Sequence, residues 1–187
     1  MDTYAARPVL WPEIRALLLA AMAVFTYTIT IGILNGIDAI EFDQRRILGH
    51  VHGGTLGWLT LAVFAASLWL FGEGKPLTQR ERMFARWLAV GAIVAFAAYV
   101  LAFSLTYGNW RPVLGTISTI VIAGQFLWVL ARARGVELGV PHWGFLAALG
   151  TSIVGGILGI LWGLQLATGD KYLPTDGEGA HPATMVV

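Results

Sequence analysis

Residues 84–106 read FARWLAVGAIVAFAAYVLAFSLT, with no Lys, Arg, Asp or Glu in the apolar centre. A helix that crosses a bilayer needs about 20 such residues, because the hydrocarbon core is about 30 Å thick and each residue advances the helix by about 1.5 Å. Four further stretches repeat the pattern, at about 14–34, 47–71, 112–131 and 143–167. The spacing predicts an all-α polytopic transmembrane bundle with five full spans, forming a single membrane domain over 1–187. The first span does not read as a cleavable signal peptide, since its apolar stretch is too long and no small-residue cleavage site follows. After a polar loop, Ala180-His181-Pro182-Ala183-Thr184 reads as a helix start with Pro early in the first turn. Met185-Val186-Val187 then reads as the first apolar residues of a sixth span.

Composition agrees. Of the 187 residues, 57% are hydrophobic and only 12% charged, and the mean hydropathy is +0.70. Soluble domains carry roughly 25% charged residues, so too little polar surface is left to cover a soluble fold. Disorder is excluded by the same figures. Twelve Lys and Arg against 11 Asp and Glu leave no basic excess for nucleic acid. Cysteine is absent, which removes disulfides, thiolate metal sites, covalently attached haem, iron–sulfur clusters and cysteine nucleophiles together. The eight Trp, five Tyr and 23 Gly suit a membrane bundle, since aromatic rings collect at bilayer interfaces and glycine lets helices approach closely.

Lys and Arg orient the spans. One side collects Arg7, Arg15, Lys75, Arg80, Arg82, Arg86, Arg132 and Arg134; the other has Arg45, Arg46, Arg111 and Lys171. The excess predicts a cytoplasmic N-terminus; the membrane expected is a bacterial or archaeal plasma membrane. Short loops predict antiparallel packing of successive spans. Gly155, Gly159 and Gly163 repeat every four residues, with Gly156 alongside. Such a stripe is a packing seam, or a groove against a flat cofactor.

Ionisable groups within spans are functional candidates because they are costly there, and the centres of these spans have none. Hydroxyls and amides (Thr28, Ser118, Thr119, Gln125, Thr151 and Ser152 among them) read as groups that bond neighbouring helices or their own backbone. No carboxylate relay, Ser-His-Asp setting or phosphate loop is present. The histidines remain. His50 and His52 fall in the first turns of the second span, and His181 opens the sixth, all at the outer level. His142 starts the fifth span at the inner level, about 30 Å away. Imidazole is a common metal ligand and an axial haem ligand. His50 and His52, two residues apart, diverge by about 200° on a regular helix. Gly53 and Gly54, which follow, leave room for a flat macrocycle or serve helix packing.

The run His50-Val51-His52-Gly53-Gly54-Thr55-Leu56-Gly57-Trp58 resembles the second-helix histidine motif of the haem-copper oxidase and nitric oxide reductase superfamily. It is closer still to small membrane proteins related to the catalytic subunit of that superfamily. The resemblance covers about nine residues and a compatible helix order. It implies that a second-helix histidine near the outer face ligates a low-spin haem, His52 by position, with His50 as the second choice. The family's catalytic subunit uses six histidines for two haems and a copper; this chain has four, and lacks both the copper-site cluster and charged groups for an internal proton path. Complete oxygen reduction by this chain alone is not expected.

Two functional classes follow. In the first, a b-type haem is ligated by His52 and His181, with its propionates met by Arg111, or by Arg45 or Arg46. The chain is then an electron-transfer protein or an oxidoreductase subunit of the oxidase type. Its partners are the bilayer, other membrane subunits, or a redox protein at the outer face, and no nucleic acid. In the second, a non-catalytic membrane protein holds copper or zinc on His52, His181 and His50, aided by Asp38, Glu41 and Asp43, or scaffolds a complex. A small-solute transporter finds little support, since no span has a charge or a clear Pro-Gly break.

Overall fold

The computed structural model describes residues 8–73, 75–105 and 110–173. Among them there is no strand. The helices are α1 (Trp11–Gly36), α2 (Gln44–His52), a π-helical segment (Gly53–Leu59), α3 (Thr60–Gly72), α4 (Gln79–Leu105), α5 (Trp110–Ala133) and α6 (Val140–Thr168). Because α2, the π-helical segment and α3 run on without a break, five helices of 24 to 29 residues are long and apolar enough to cross a bilayer. Each reaches two to five residues beyond one or both ends of its apolar stretch. Hydropathy marks the hydrocarbon core, whereas caps in the interface decide where a helix stops. The expected sixth span, with His181, lies outside the described residues.

The caps can be traced to the sequence. Asp43 accepts from the Arg46 backbone N–H at 3.0 Å and starts α2. That N–H, and after it the Arg45 guanidinium, holds the Asp43 carboxyl below the usual carboxylate range. Thr78 and Glu81 form a reciprocal capping box at α4. Gly169 closes α6 at a left-handed φ of 77° and donates to the Gln165 carbonyl.

Two cations tie helix ends together. Arg132, 2% exposed, donates to the carbonyls of Phe71, Gly72, Lys75 and Pro76 and sits 3.5 Å from the Glu81 carboxylate. It therefore caps the C-terminal end of α3, where carbonyls lack intrahelical donors. Lys75 does the same for α5, donating to Ala131 and Arg134 carbonyls at 3.1 Å.

The core lies among α1, α3, α4 and α5, around Leu17, Phe64, Leu68, Phe96, Ile122 and Val129. Trp87, Val94, Leu101, Ile120 and Leu127 face outward. An apolar exterior around an apolar core is the arrangement of an integral membrane bundle. Among the described residues, α6 packs on α5 and less extensively on α3, and on no other helix.

Candidate functional site

His52 ends α2 and is 7% exposed. Its Nδ1 lies 2.8 Å from the Leu48 carbonyl, one turn back. A carbonyl only accepts, so Nδ1 carries the proton and Nε2 is the lone-pair nitrogen of the neutral ring. The imidazole stacks on Phe103 (centroids 3.8 Å apart, planes 17° apart) and meets Tyr99 edge-on at 5.6 Å. Phe103 also carries Arg111, whose Cζ lies 4.6 Å from the ring centroid and whose Nη2 donates to the Phe103 carbonyl at 3.3 Å. His52, Phe103 and Arg111 thus form one connected group at one end of the bundle.

These residues line a cavity of about 450 Å³ between the α2–α3 helix, α4, α5 and α6. Its walls are mainly apolar, as in sites for flat or amphiphilic cofactors. Arg111 stands in the first turn of α5, which contains no acidic residue. Guanidinium and helix N-terminus together make that end of the cavity positive. The remaining polar groups on the walls are mostly threonine and serine hydroxyls bonded back to their own helices, as at Thr55, Thr119, Thr151 and Ser152.

His50 turns the other way. Its Nδ1 is 2.7 Å from the Thr28 carbonyl, and the Thr28 hydroxyl donates to the His50 carbonyl at 2.7 Å. A methyl on Gly32 would come within 2.9 Å of the His50 ring, so this glycine makes room for the imidazole against α1. His50 locks α1 to α2 and does not line the cavity. His142 caps α6, its Nδ1 accepting from the Gly139 N–H at 3.2 Å, and lies edge-on to Phe71. Phe71 and His52 are nineteen residues apart on one continuous helix, roughly 28 Å of rise. His142 is therefore at the far end from His52. His181 lies outside the described residues.

Two expectations change. Gly53 and Gly54 do not open a space for a macrocycle. Gly53 faces Thr28 and Val100, Gly54 faces Thr28, and a Cβ at Gly57 would fall 2.4 Å from Val24. These glycines let the wider π-helical segment fit between α1 and α4. Nor do the acidic residues gather around His50: Asp43 is occupied as a cap and by Arg45 at 2.9 Å. Among the described residues no three His, Asp or Glu side chains converge as a metal site. The α6 glycines form a packing seam and also border the cavity. Gly156 packs on Thr119 and Gly163 on Pro112, while Gly155 and Gly159 join them in lining the cavity.

The π-helical segment beginning right after His52 was not legible in advance, and neither was the part played by Tyr99 and Phe103. One signal was present. Arg111, Ser118, Gln125 and Arg132 follow one another at intervals of seven, two turns each, and so fall on one face of α5. Ser118, Gln125 and Arg132 are buried.

No known family model, curated protein or solved structure matches the chain. What the fold defines is a helical membrane bundle in which, among the described residues, one buried histidine lines an amphiphilic cavity.

Proposed function

We propose that this chain is a haem-binding electron-transfer protein of the membrane, related to the haem-copper oxidase superfamily through its second-helix histidine motif. The observation that carries the reading is His52: buried, at the cavity wall, with Nδ1–H held by the Leu48 carbonyl. Histidines that ligate metals commonly donate their other ring N–H to a carbonyl or carboxylate, which fixes the tautomer and ring orientation. The residues present fit a b-type haem. His52 offers Nε2 as an axial ligand, Arg111 offers a cation for propionates, and the apolar walls exclude water from the macrocycle. His181 is the proposed second ligand. When bound, haem supplies a one-electron iron couple whose potential is tuned by ligands, burial and hydrogen bonds. His50 holds α1 in place, outside the ligand set.

We place the N-terminus and the Arg132 end in the cytoplasm, on the Lys and Arg asymmetry, and propose a bacterial or archaeal plasma membrane. The His52 end then faces outward, towards a redox partner or a neighbouring membrane subunit. The test is the absorption spectrum of the purified protein, oxidised and dithionite-reduced. A Soret band is expected, lost or converted to a five-coordinate form in His52→Ala and in His181→Ala. It should persist in His50→Ala and His142→Ala. A six-coordinate spectrum that survives His52→Ala refutes the assignment.

A further inference from the structure

The hydrogen bond of His52 does not by itself fix how its ring is turned. A carbonyl accepts over a broad range of directions, so the Leu48 carbonyl selects the Nδ1–H tautomer and leaves the ring plane room to tilt. The torsion about the Cβ–Cγ bond of histidine is itself broad, with no staggered well to hold it. Packing has to supply the restraint, and the Phe103 ring does so. It lies face to face with the imidazole, centroids 3.8 Å apart and planes 17° apart. At that separation the two faces are in van der Waals contact, so a swing of the imidazole drives its edge into Phe103. Phe103 is held in its turn. Tyr99, one turn earlier on α4, meets its ring almost at right angles, centroids 5.0 Å apart. Arg111 stands over the ring at 4.6 Å, and its Nη2 donates to the Phe103 backbone carbonyl. The flat surface against which His52 rests is therefore clamped from both α4 and α5.

We propose that Phe103 is a positioning residue for the axial ligand, its ring face setting the rotation of the His52 imidazole. This rests on the haem reading. A turn about Cβ–Cγ tips the ring plane and carries Nε2 sideways, so one rotation of the ring means one direction of its lone pair and one orientation of its π orbitals towards the iron. Neighbours that fix a ligand's orientation tune the metal without touching it. A ligand that keeps its orientation in both oxidation states leaves little to reorganise when an electron moves, which suits electron transfer. Arg111 then serves twice, as the cation for an acid and as part of the clamp on the ring that aims the histidine.

The experiment loads the full purified chain with haem and records the electron paramagnetic resonance spectrum of the ferric form, whose g values follow the rotation of an axial imidazole against the porphyrin nitrogens. The wild type should give one narrow set of g values. Phe103→Leu keeps an apolar, helix-forming side chain but has no flat face. Its Soret band should remain, which shows that the variant is folded and loaded, while its g values shift and broaden. Phe103→Tyr restores the face and should restore the narrow signal. Phe103→Met repeats the first test should the leucine variant not fold. Three results overturn the role of Phe103 and leave haem binding standing: a Phe103→Leu spectrum identical to that of the wild type, a Phe103→Tyr spectrum as broad as that of Phe103→Leu, or a wild type that itself shows a spread of g values. Loss of haem from both Phe103→Leu and Phe103→Met makes Phe103 a packing residue and overturns the role as well. If the wild type takes up no haem, the haem reading itself fails, and this inference with it.

Discussion

Arg132 shows what a single side chain can hold in an apolar medium. Its guanidinium reaches carbonyls at the end of α3 and in the turn that follows, and Glu81 of α4 balances the charge. A planar fork of donors suits this task better than a point charge. Arg132→Ala leaves several carbonyls without donors, at about 1–3 kcal/mol each before relaxation. A stability loss of about 3 kcal/mol or more is expected in a detergent or bicelle unfolding titration, and Arg132→Lys should recover only part of it. Asp43 illustrates the exposed counterpart. Its folded-state pKa is depressed, chiefly by the Arg46 N–H. Its capping contribution is therefore full above the ordinary carboxylate pKa and is lost as pH falls through the depressed value. Amide exchange at Arg46 and Ile47, corrected for the intrinsic rate, should accelerate at strongly acid pH in the wild type. In Asp43→Asn that acid-dependent step should disappear, because the amide oxygen caps without titrating.

Among the elements, the π-helical segment is the one hydropathy had no means of revealing. The same apolar residues support bonds to the fourth or the fifth residue back, and tertiary packing decides between them. The five spans were legible because burial in lipid is written directly in residue type, and the divergence of His50 and His52 followed from their spacing. For Gly53 and Gly54 the sequence left two alternatives open, because a glycine shows that something approaches closely without showing what, and the structure gives helix packing. Ser118 passed as one more back-bonding hydroxyl, whereas its Oγ has no hydrogen-bond partner among the described residues. The helix partners make the π-helical segment testable. Gly57→Ala drives a methyl against Val24 and should cost about 1–3 kcal/mol. Val24→Ala in the same chain should restore part of that loss, giving a coupling energy in a double-mutant cycle. Simple additivity would mean that the contact does not hold the segment.

At the level of the whole molecule, one prediction concerns sidedness. With the Arg132 end cytoplasmic, a cysteine at Thr78 should stay unlabelled by an impermeant thiol reagent in intact cells and react once the cells are lysed. Labelling in intact cells reverses the bundle. Beyond sidedness, the paired cations bear on how the chain is made. A ribosome delivers α3 and the turn after it long before it delivers Arg132, about sixty residues later, and elongation runs at about 5–20 residues per second. For those seconds the end of α3 has no guanidinium to satisfy it, and it remains solvated at the membrane surface. When α5 emerges, Arg132 fastens the earlier hairpin and Lys75, already waiting, fastens the newcomer. The fourth span thereby acts as the keystone of biosynthesis: the half of the protein already inserted acquires its final form only on the arrival of a helix from the other half.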